Sequence, residues 1–306
     1  MKIFTIIVTY NGMQWIDQCL NSIVNQSEVV VVDNNSSDNT LNHIKQYFPS
    51  VKILAQTENL GFGKANNIGI GYALNNGAEA IFLLNQDAHV EKECIIKLVK
   101  AHKENPEFGI ISPIHLNGDG SEVDYSFLIF TSPYKANSLI SDLIVKNFSK
   151  NIYEISFINA AAWFIPKDIF YKVGGFDPLF FFYGEDDNYC QRVLYHSYKI
   201  GIIPNATIYH DSKNHSFKEN TKGSKEYYKQ FKNNILVKYA NINTQDYKKI
   251  NKLKFYLLKK ALINFLSFDV TKGKIYLKKY ELIDKNRIVK SVQTNLTSNP
   301  NYLNDN

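Results

Sequence analysis

Cysteine is scarce in this sequence. Three occur in 306 residues, Cys19, Cys94 and Cys190, widely spaced and odd in number. That excludes a disulfide framework and a zinc knuckle, and it fits a reducing, cytoplasmic compartment. Long apolar runs are also missing. Residues 6–8 and 80–84 are typical of what there is, far short of the roughly 18 residues that a bilayer-spanning helix needs. There is no low-complexity block and no internal repeat, and 21% charged against 44% hydrophobic residues excludes global disorder and leaves enough apolar material for a large core. The first residues, MKIFTIIVTYNG, carry one lysine and a short apolar run before turning polar, and read as a first strand rather than a leader. Acidic residues are rare in one stretch: between positions 245 and 280, ten lysines stand against two aspartates. Such a stretch can meet an anionic membrane surface. A chain rich in Lys, Asn, Ile and Tyr throughout also acquires such lysines with no partner implied.

What is present is a strand–helix alternation. Residues 2–9 form a β-branched run suited to a strand buried on both faces. Residues 15–24 follow, with Ile16, Leu20 and Ile23 at helical spacing. EVVVVD (28–33) is a second strand, NNSSDNT (34–40) a turn and cap, 41–48 a short helix and 51–55 a third strand. The pattern predicts a helix over 64–74, a fourth strand over 80–85, and a helix over 91–105 with Ile95, Leu98, Val99 and His102 on one stripe, stopped by Pro106. Repeated units of this length predict an α/β fold with a mostly parallel central sheet flanked by helices. The pattern then loosens. NGDG (117–120) is a turn, 126–151 reads as a loop, 167–173 as a short helix ended by Gly174 and Gly175, 186–197 as a helix, and 200–203 and 207–210 as two strands. From 224 to about 268 the chain is helical and lysine-rich, and the last fifteen residues are expected to fray. The division expected is a catalytic domain over 1–216, its nucleotide-binding half ending near 110 and its acceptor half at 216, followed by a helical extension over 217–306.

In an open parallel sheet, ligands bind beyond the carboxyl ends of the strands. The first strand exits into Thr9, Tyr10, Asn11 and Gly12; the second into Asp33, Asn34, Asn35 and Ser36; the fourth into Asn85, Gln86 and Asp87. Three polar exits along one edge point to a pocket. GFGKANNIG (61–69) matches a dinucleotide fingerprint only loosely, because Asn66 holds the third glycine position and the segment follows the third strand. Gly61 and Gly63 read equally as a helix start packed tightly on the sheet. Further on, FDPLFFFYGEDDNYCQR (176–192) sets Glu185, Asp186 and Asp187 behind Phe180, Phe181, Phe182 and Tyr183. Adjacent carboxylates after an aromatic run either cap a helix or form a charged site on an apolar wall.

Taken in order, IIVTYNG (6–12), VVDNNSSDNT (31–40), NLGFGKANNIG (59–69), LLNQDAHV (83–90) and GGFDPLFFFYGEDDNYCQR (174–192) resemble the motif series of family 2 glycosyltransferases, most closely a rhamnosyltransferase-like branch. The resemblance covers roughly residues 3–216. It implies a GT-A fold, a nucleotide-sugar donor, a divalent metal (Mg²⁺ or Mn²⁺) and inversion at the anomeric carbon. It also implies roles. Thr9, Tyr10, Asn11, Asp33, Asn34, Lys64, Asn67 and Asp87 would hold the donor. Asp87, with His210 from YHDSKNHS, would hold the metal, an oxygen-loving ion. Asp186 would be the acceptor-activating base with Glu185 beside it, and Phe182, Tyr183 and Trp163 would line the acceptor, Trp163 reading equally as a core residue. The chain departs from the series at three points: Asn34 stands where many relatives carry Asp, Asn85, Gln86 and Asp87 replace a D-x-D triplet, and E-D-D-N replaces E-D-x-D. The expected activity is transfer of a hexosyl or deoxyhexosyl group, rhamnosyl among them, to a glycan or lipid-linked acceptor in surface polysaccharide synthesis. No nucleic-acid partner is expected. Two other readings stay open, a nucleotidyltransferase-like enzyme and a catalytically silent nucleotide-sugar-binding module.

Overall fold

The computed structural model describes residues 1–136, 138–212, 220–299 and 301–303. Among them the strands are β1 (Ile3–Thr9), β2 (Glu28–Asp33), β3 (Lys52–Ala55), β4 (Ala80–Leu84), β5 (Ala88–Val90), β6 (Phe108–Asn117), β7 (Tyr153–Ile155), β8 (Ala162–Pro166) and β9 (Lys199–His210). The helices are α1 (Ile16–Ile23), α2 (Thr40–Tyr47), α3 (Phe62–Asn75), α4 (Cys94–Glu104), α5 (Tyr125–Phe130), α6 (Leu139–Val145), α7 (Lys167–Val173), α8 (Glu185–Tyr195), α9 (Lys225–Tyr239), α10 (Ile250–Leu266), α11 (Val270–Glu281) and α12 (Lys285–Asn295).

The side chains of β1 alternate across the sheet. Phe4 and Ile6 join one apolar cluster, Ile3 and Ile7 the other. β2 and β4 divide in the same way, with Val30, Val32, Ile81 and Leu83 on the first side and Val29, Val31, Phe82 and Leu84 on the second. Helices α3, α7 and α8 cover the first face, and α1, α2 and α4 the second. Strands buried on both faces need apolar residues at every position, which is why these segments read as continuous runs.

The sheet order is β3-β2-β1-β4-β8-β6-β9-β5, with β7 on β9. β3, β2, β1 and β4 are parallel. β8 then runs antiparallel to β4, while β6 and β9 pair parallel. The chain leaves β1 to one side for β2 and returns to the other side for β4, so the crevice between their carboxyl ends is the switch point at which α/β sheets bind ligands.

Several expectations change in detail. The stretch 126–151, read as a loop, contains α5 and α6. The two short strands expected at 200–203 and 207–210 are one strand, β9. Its register against β6 jumps between Ile202 and Thr207, a bulge around Pro204, whose missing N–H cannot serve a ladder. Among the described residues the end of the chain is packed, contrary to the expected fraying: Leu303 lies in the same cluster as Phe4 and Trp163. α12 is tied down by a buried relay in which Arg192 donates to Asn295 Oδ1, and Asn295 and Ser291 both donate to Asp177 Oδ2, at 2.7 and 2.6 Å. A third apolar cluster joins Phe180 to α9, α10 and the start of α12. The domain boundary expected at 216/217 falls outside the described residues.

Candidate active site

The side expected to hold the donor is built from strand exits. At the end of β1, Thr9 is fully buried and donates its hydroxyl to Gln86 Oε1 at 2.7 Å, and the Tyr10 N–H donates to the same oxygen at 2.9 Å. Gln86 thus latches the exits of β1 and β4 together across the switch-point crevice. Asn11 takes a left-handed backbone (φ 49°), and its Oδ1 accepts from the Ser37 and Asp38 amides, fixing the loop after β2. Asp33 closes β2 with one carboxylate oxygen on the Ser36 amide and the other, Oδ1, buried without a partner. An orphaned buried acceptor of this kind fits a ligand hydroxyl. Tyr10 and Lys64 are exposed at the rim.

Two residues expected to grip the donor are committed elsewhere. Asn34 is buried. Its Oδ1 accepts from the Leu60 amide and its Nδ2 donates to Asn59 and to the Gly61 carbonyl. Asn67 is buried too and makes a two-way clamp with Phe176, 2.8 Å to its carbonyl and 2.7 Å from its amide. Asn34 fixes the loop before α3, and Asn67 ties down the segment that leads to the acidic helix start. Gly61 (φ 78°) presses directly on the Phe181 carbonyl, where no Cβ would fit.

Past β4, Asp87 Oδ1 lies 3.4 Å from His210 Nε2, and His210 Nδ1 lies 3.4 Å from Asp124 Oδ2. Ser212 donates a short hydrogen bond to the same Asp124 oxygen. Burial by itself would lower the His210 pKa, but the pull of Asp124 and Asp87 overcomes it and pushes it up to about 9. Burial would likewise raise Asp124; the contacts from His210, Ser212 and the Phe127 amide instead hold it well below the usual carboxylate range. Behind them, His115 is fully buried and bonds Ser112. Burial first, then the charge of His210, lowers its pKa to about 3, so it is neutral. A cavity of about 1180 Å³ opens beside Asp87, with Trp15, His89, Asp119 and Asp211 on its walls, and Trp15 Nε1 donates to Asp211 at 2.7 Å. Thr9, Asp33 and Asp186 are not on its walls.

Among the described residues, no group of three His, Cys, Asp or Glu is gathered to hold a metal alone. The pair Asp87 and His210 would accept a divalent ion only with His210 neutral, so binding there would displace the proton that Asp87 and Asp124 hold on the imidazole. The pair's two donor atoms, 3.4 Å apart, approach the roughly 3 Å edge of an octahedron with bonds near 2.1 Å. Asn85 adds a buried amide oxygen without a partner beside them, and its Nδ2 is 3.5 Å from His210 Nε2. Such a site is complete only with oxygens from the ligand.

The second acidic group begins α8. Glu185, Asp186 and Asp187 occupy its first turn, where the helix dipole favours negative charge. Two left-handed residues precede them, Tyr183 (φ 68°) and Gly184 (φ 94°). This turn faces the aromatic run outward, with Phe181, Phe182 and Tyr183 exposed and Phe180 anchored in the third apolar cluster. Positive φ at tyrosine is costly and marks a turn held by its surroundings. Lys229 lies over the rings of Phe182 and Tyr183, at 5.6 and 5.1 Å. All three carboxyls are shifted upward. Burial, then Asp186, pushes Glu185 up to about 8 and Asp187 up to about 7. Burial raises Asp186 as well, against the opposing pull of nearby backbone amides, and its Oδ1 accepts from the Asp187 amide at 2.9 Å. Glu185 Oε2 is buried without a partner.

Phe182 and Tyr183 are therefore at the surface beside Asp186, and Trp163 is not. Its indole is enclosed in the core, stacked on Phe176 with ring centroids 6.2 Å apart, and offers no face to an acceptor. It sits on β8, a strand buried on both faces. Of the segment YHDSKNHS, residues 213–216 lie outside the described residues. Sequence reasoning named Gln86 only as part of a polar strand exit, without its latch on Thr9 and Tyr10, and missed Asp124. Asp124 also caps α5 by accepting from the Phe127 amide, so its local pattern is that of an ordinary cap.

This sheet, with its switch-point crevice and carboxylates at the exit of β4 and the start of α8, defines a GT-A-type fold. The sequence model of glycosyl transferase family 2 matches residues 5–171, and the chain belongs to that family. It is a glycosyltransferase of the hexosyltransferase type. It is similar to the dTDP-rhamnosyl transferase RfbF of Shigella flexneri, 28% identical over 210 residues, 68% of this chain and 69% of that one. It is also similar to the N-acetylglucosaminyl-diphospho-decaprenol L-rhamnosyltransferase of Mycobacterium tuberculosis, 24% identical over 233 residues, 66% of this chain and 74% of that one. Among solved structures, GalNAc-T7 with UDP, GalNAc and Mn²⁺ superimposes with a TM-score of 0.58 at 15% identity. That match covers 83% of this chain and about half, 51%, of the other, and supports the fold alone.

Proposed function

We propose that the transfer is inverting, that the donor is a nucleoside-diphosphate hexose or deoxyhexose with rhamnose the first sugar to test, and that the acceptor is a glycan or a lipid-linked sugar of surface polysaccharide synthesis. The names of the Shigella and Mycobacterium relatives support the sugar and the acceptor class. The single observation that carries the chemistry is Asp186, a carboxyl at the start of α8 that accepts from the Asp187 amide, is raised above its ordinary value by burial, and follows the exposed aromatic residues Phe182 and Tyr183 in the chain. An acceptor hydroxyl is a poor nucleophile until its proton is removed, and a base works best with a pKa near the operating pH.

In this reading the nucleoside lies across the exits of β1 and β2, where Asp33 Oδ1 accepts from a ribose hydroxyl. The diphosphate points to Asp87 and His210. A divalent ion, Mg²⁺ or Mn²⁺, held there with donor oxygens completing its shell, would neutralise charge on the leaving diphosphate. The acceptor sugar stacks on Phe182 and Tyr183. Asp186 takes the proton from its hydroxyl, the oxygen attacks the anomeric carbon, and the bond to the diphosphate breaks with its electron pair leaving on the diphosphate. Glu185, with its pKa near 8, stays protonated at neutral pH and leaves the charge on its neighbour. The buried free thiols of Cys19, Cys94 and Cys190 agree with work in the cytoplasm. The test is a panel of UDP- and dTDP-sugars with Mn²⁺, read as free nucleoside diphosphate. Release from one donor class supports the reading. No release from any donor with Mn²⁺ favours a silent binding module.

A further inference from the structure

Helix α10 has two apolar faces, and only one is used. Ile250, Leu257 and Ala261 are buried against the neighbouring helices. Phe255, Leu262 and Leu266 repeat the same spacing five residues on, about 140° around the helix, and are 69%, 58% and 72% exposed. The outward series continues into the turn before α11, where Phe268, left-handed at φ 61°, is 92% exposed. Exposed aromatic and aliphatic side chains in a continuous series mark a surface that meets something.

The charge pattern says what. Ten lysines and two aspartates lie between positions 245 and 280, and both aspartates are already paired, Asp246 with Lys249 and Asp269 with Lys272. Lys252 and Lys259 flank the outward series one turn apart from Phe255 and are exposed. A second copy of this face would bring two strongly positive surfaces together, which repel. No helix among the described residues is long and apolar enough to cross a membrane. Apolar side chains interleaved with lysines fit the headgroup region of an anionic bilayer, where rings and aliphatic chains enter and ammonium groups meet phosphate.

We propose that the outward face of α10 and the turn before α11 dock this protein peripherally on an anionic lipid surface. The proposal rests on this face and not on the identity of the donor or acceptor. α9 adjoins both places: Lys279 of α11 lies over its Tyr227 and Phe231 rings, and its Lys229 lies over the aromatic run beside Asp186. Docking would therefore hold the acceptor side at a fixed relation to the membrane.

The test is co-sedimentation of the full chain with vesicles of phosphatidylcholine alone or with roughly a third phosphatidylglycerol. Wild type binds the anionic vesicles and releases them as salt rises. The combined variant Phe255→Ser, Leu262→Ser, Phe268→Ser loses binding at least about 10-fold, and Lys252→Gln with Lys259→Gln loses less. Both keep the wild-type far-UV circular dichroism and donor hydrolysis. Equal sedimentation of wild type with neutral and anionic vesicles overturns the proposal, as does wild-type binding by the serine variant. A wild-type dimer in light scattering that the serine variant breaks assigns the face to a second copy and overturns it too.

Discussion

Two acidic groups, one at the exit of β4 and one at the start of α8, are pushed in opposite directions. At the exit of β4, acidic groups surround a buried histidine: His210 is raised to about 9 and Asp124 is held low. At the start of α8 three carboxyls share one turn with only the distant help of Lys229, and all three are raised. One arrangement keeps charge fixed on the protein through the physiological range. The other keeps a proton in play. Pairs of titratable groups whose surroundings drive them apart mark different tasks in one reaction; under the proposed function these are holding the leaving diphosphate and taking the acceptor's proton.

The comparison can be broken at either end. The largest effect is expected at Asp87. Asp87→Ala removes a carboxylate from the leaving-group side, and transfer should fall on the order of 10²–10³ or more. Nucleotide affinity in the presence of Mn²⁺ should weaken with it, read by calorimetry. Next, Asp124→Asn leaves His210 without its second anion. If Asp124 orients that imidazole, apparent Mn²⁺ affinity in the transfer assay should drop by about 10–100-fold, with donor hydrolysis recovering at saturating metal. A smaller effect appears in stability. Glu185 has a folded pKa near 8, above its unfolded value of 4.5, so the folded state binds the extra proton between them. Its stabilising contribution is complete below about 4.5 and is lost as pH rises through 8. Urea unfolding of wild type should therefore lose on the order of 2 kcal/mol more than Glu185→Gln between pH 5 and 8. The smallest effect sharpens the acceptor side. Activity should rise with pH as the Asp186 site ionises. Asp187→Asn removes a neighbouring negative charge and should move that midpoint down by about half a unit. An unmoved midpoint would mean that Asp187 does not act on the base.

The parallel half of the fold was legible because a strand buried on both faces needs an apolar residue at every position, as 28–33 and 80–84 show. The antiparallel half was not. β5 has three residues, and β9 is interrupted by the bulge at Pro204, so neither leaves a clean period. The strand exits pointed to the right edge, but residue type could not say which amides were committed. Asn34 and Asn67 each satisfy a loop that is distant in sequence, and Asn-rich segments look alike whether they bind backbone or ligand. Trp163 could be read as acceptor wall or as core, because its short apolar segment does not show which; its strand is buried on both faces. Asp124 and the Arg192, Asp177 and Asn295 relay were invisible for a simpler reason: their partners lie 86 to 118 residues away or more locally mimic a cap.

The central claim is that proton transfer and donor holding are separate, with Asp186 assigned to the first alone. It is tested by measuring nucleotide binding calorimetrically and initial transfer rates on Asp186→Asn, with Asp187→Asn beside it. Nucleotide affinity should stay within about twofold of wild type while transfer falls by at least about 10², and Asp187→Asn should remain active. An active Asp186→Asn with a dead Asp187→Asn, or a loss of nucleotide affinity equal to the loss of rate, would contradict it.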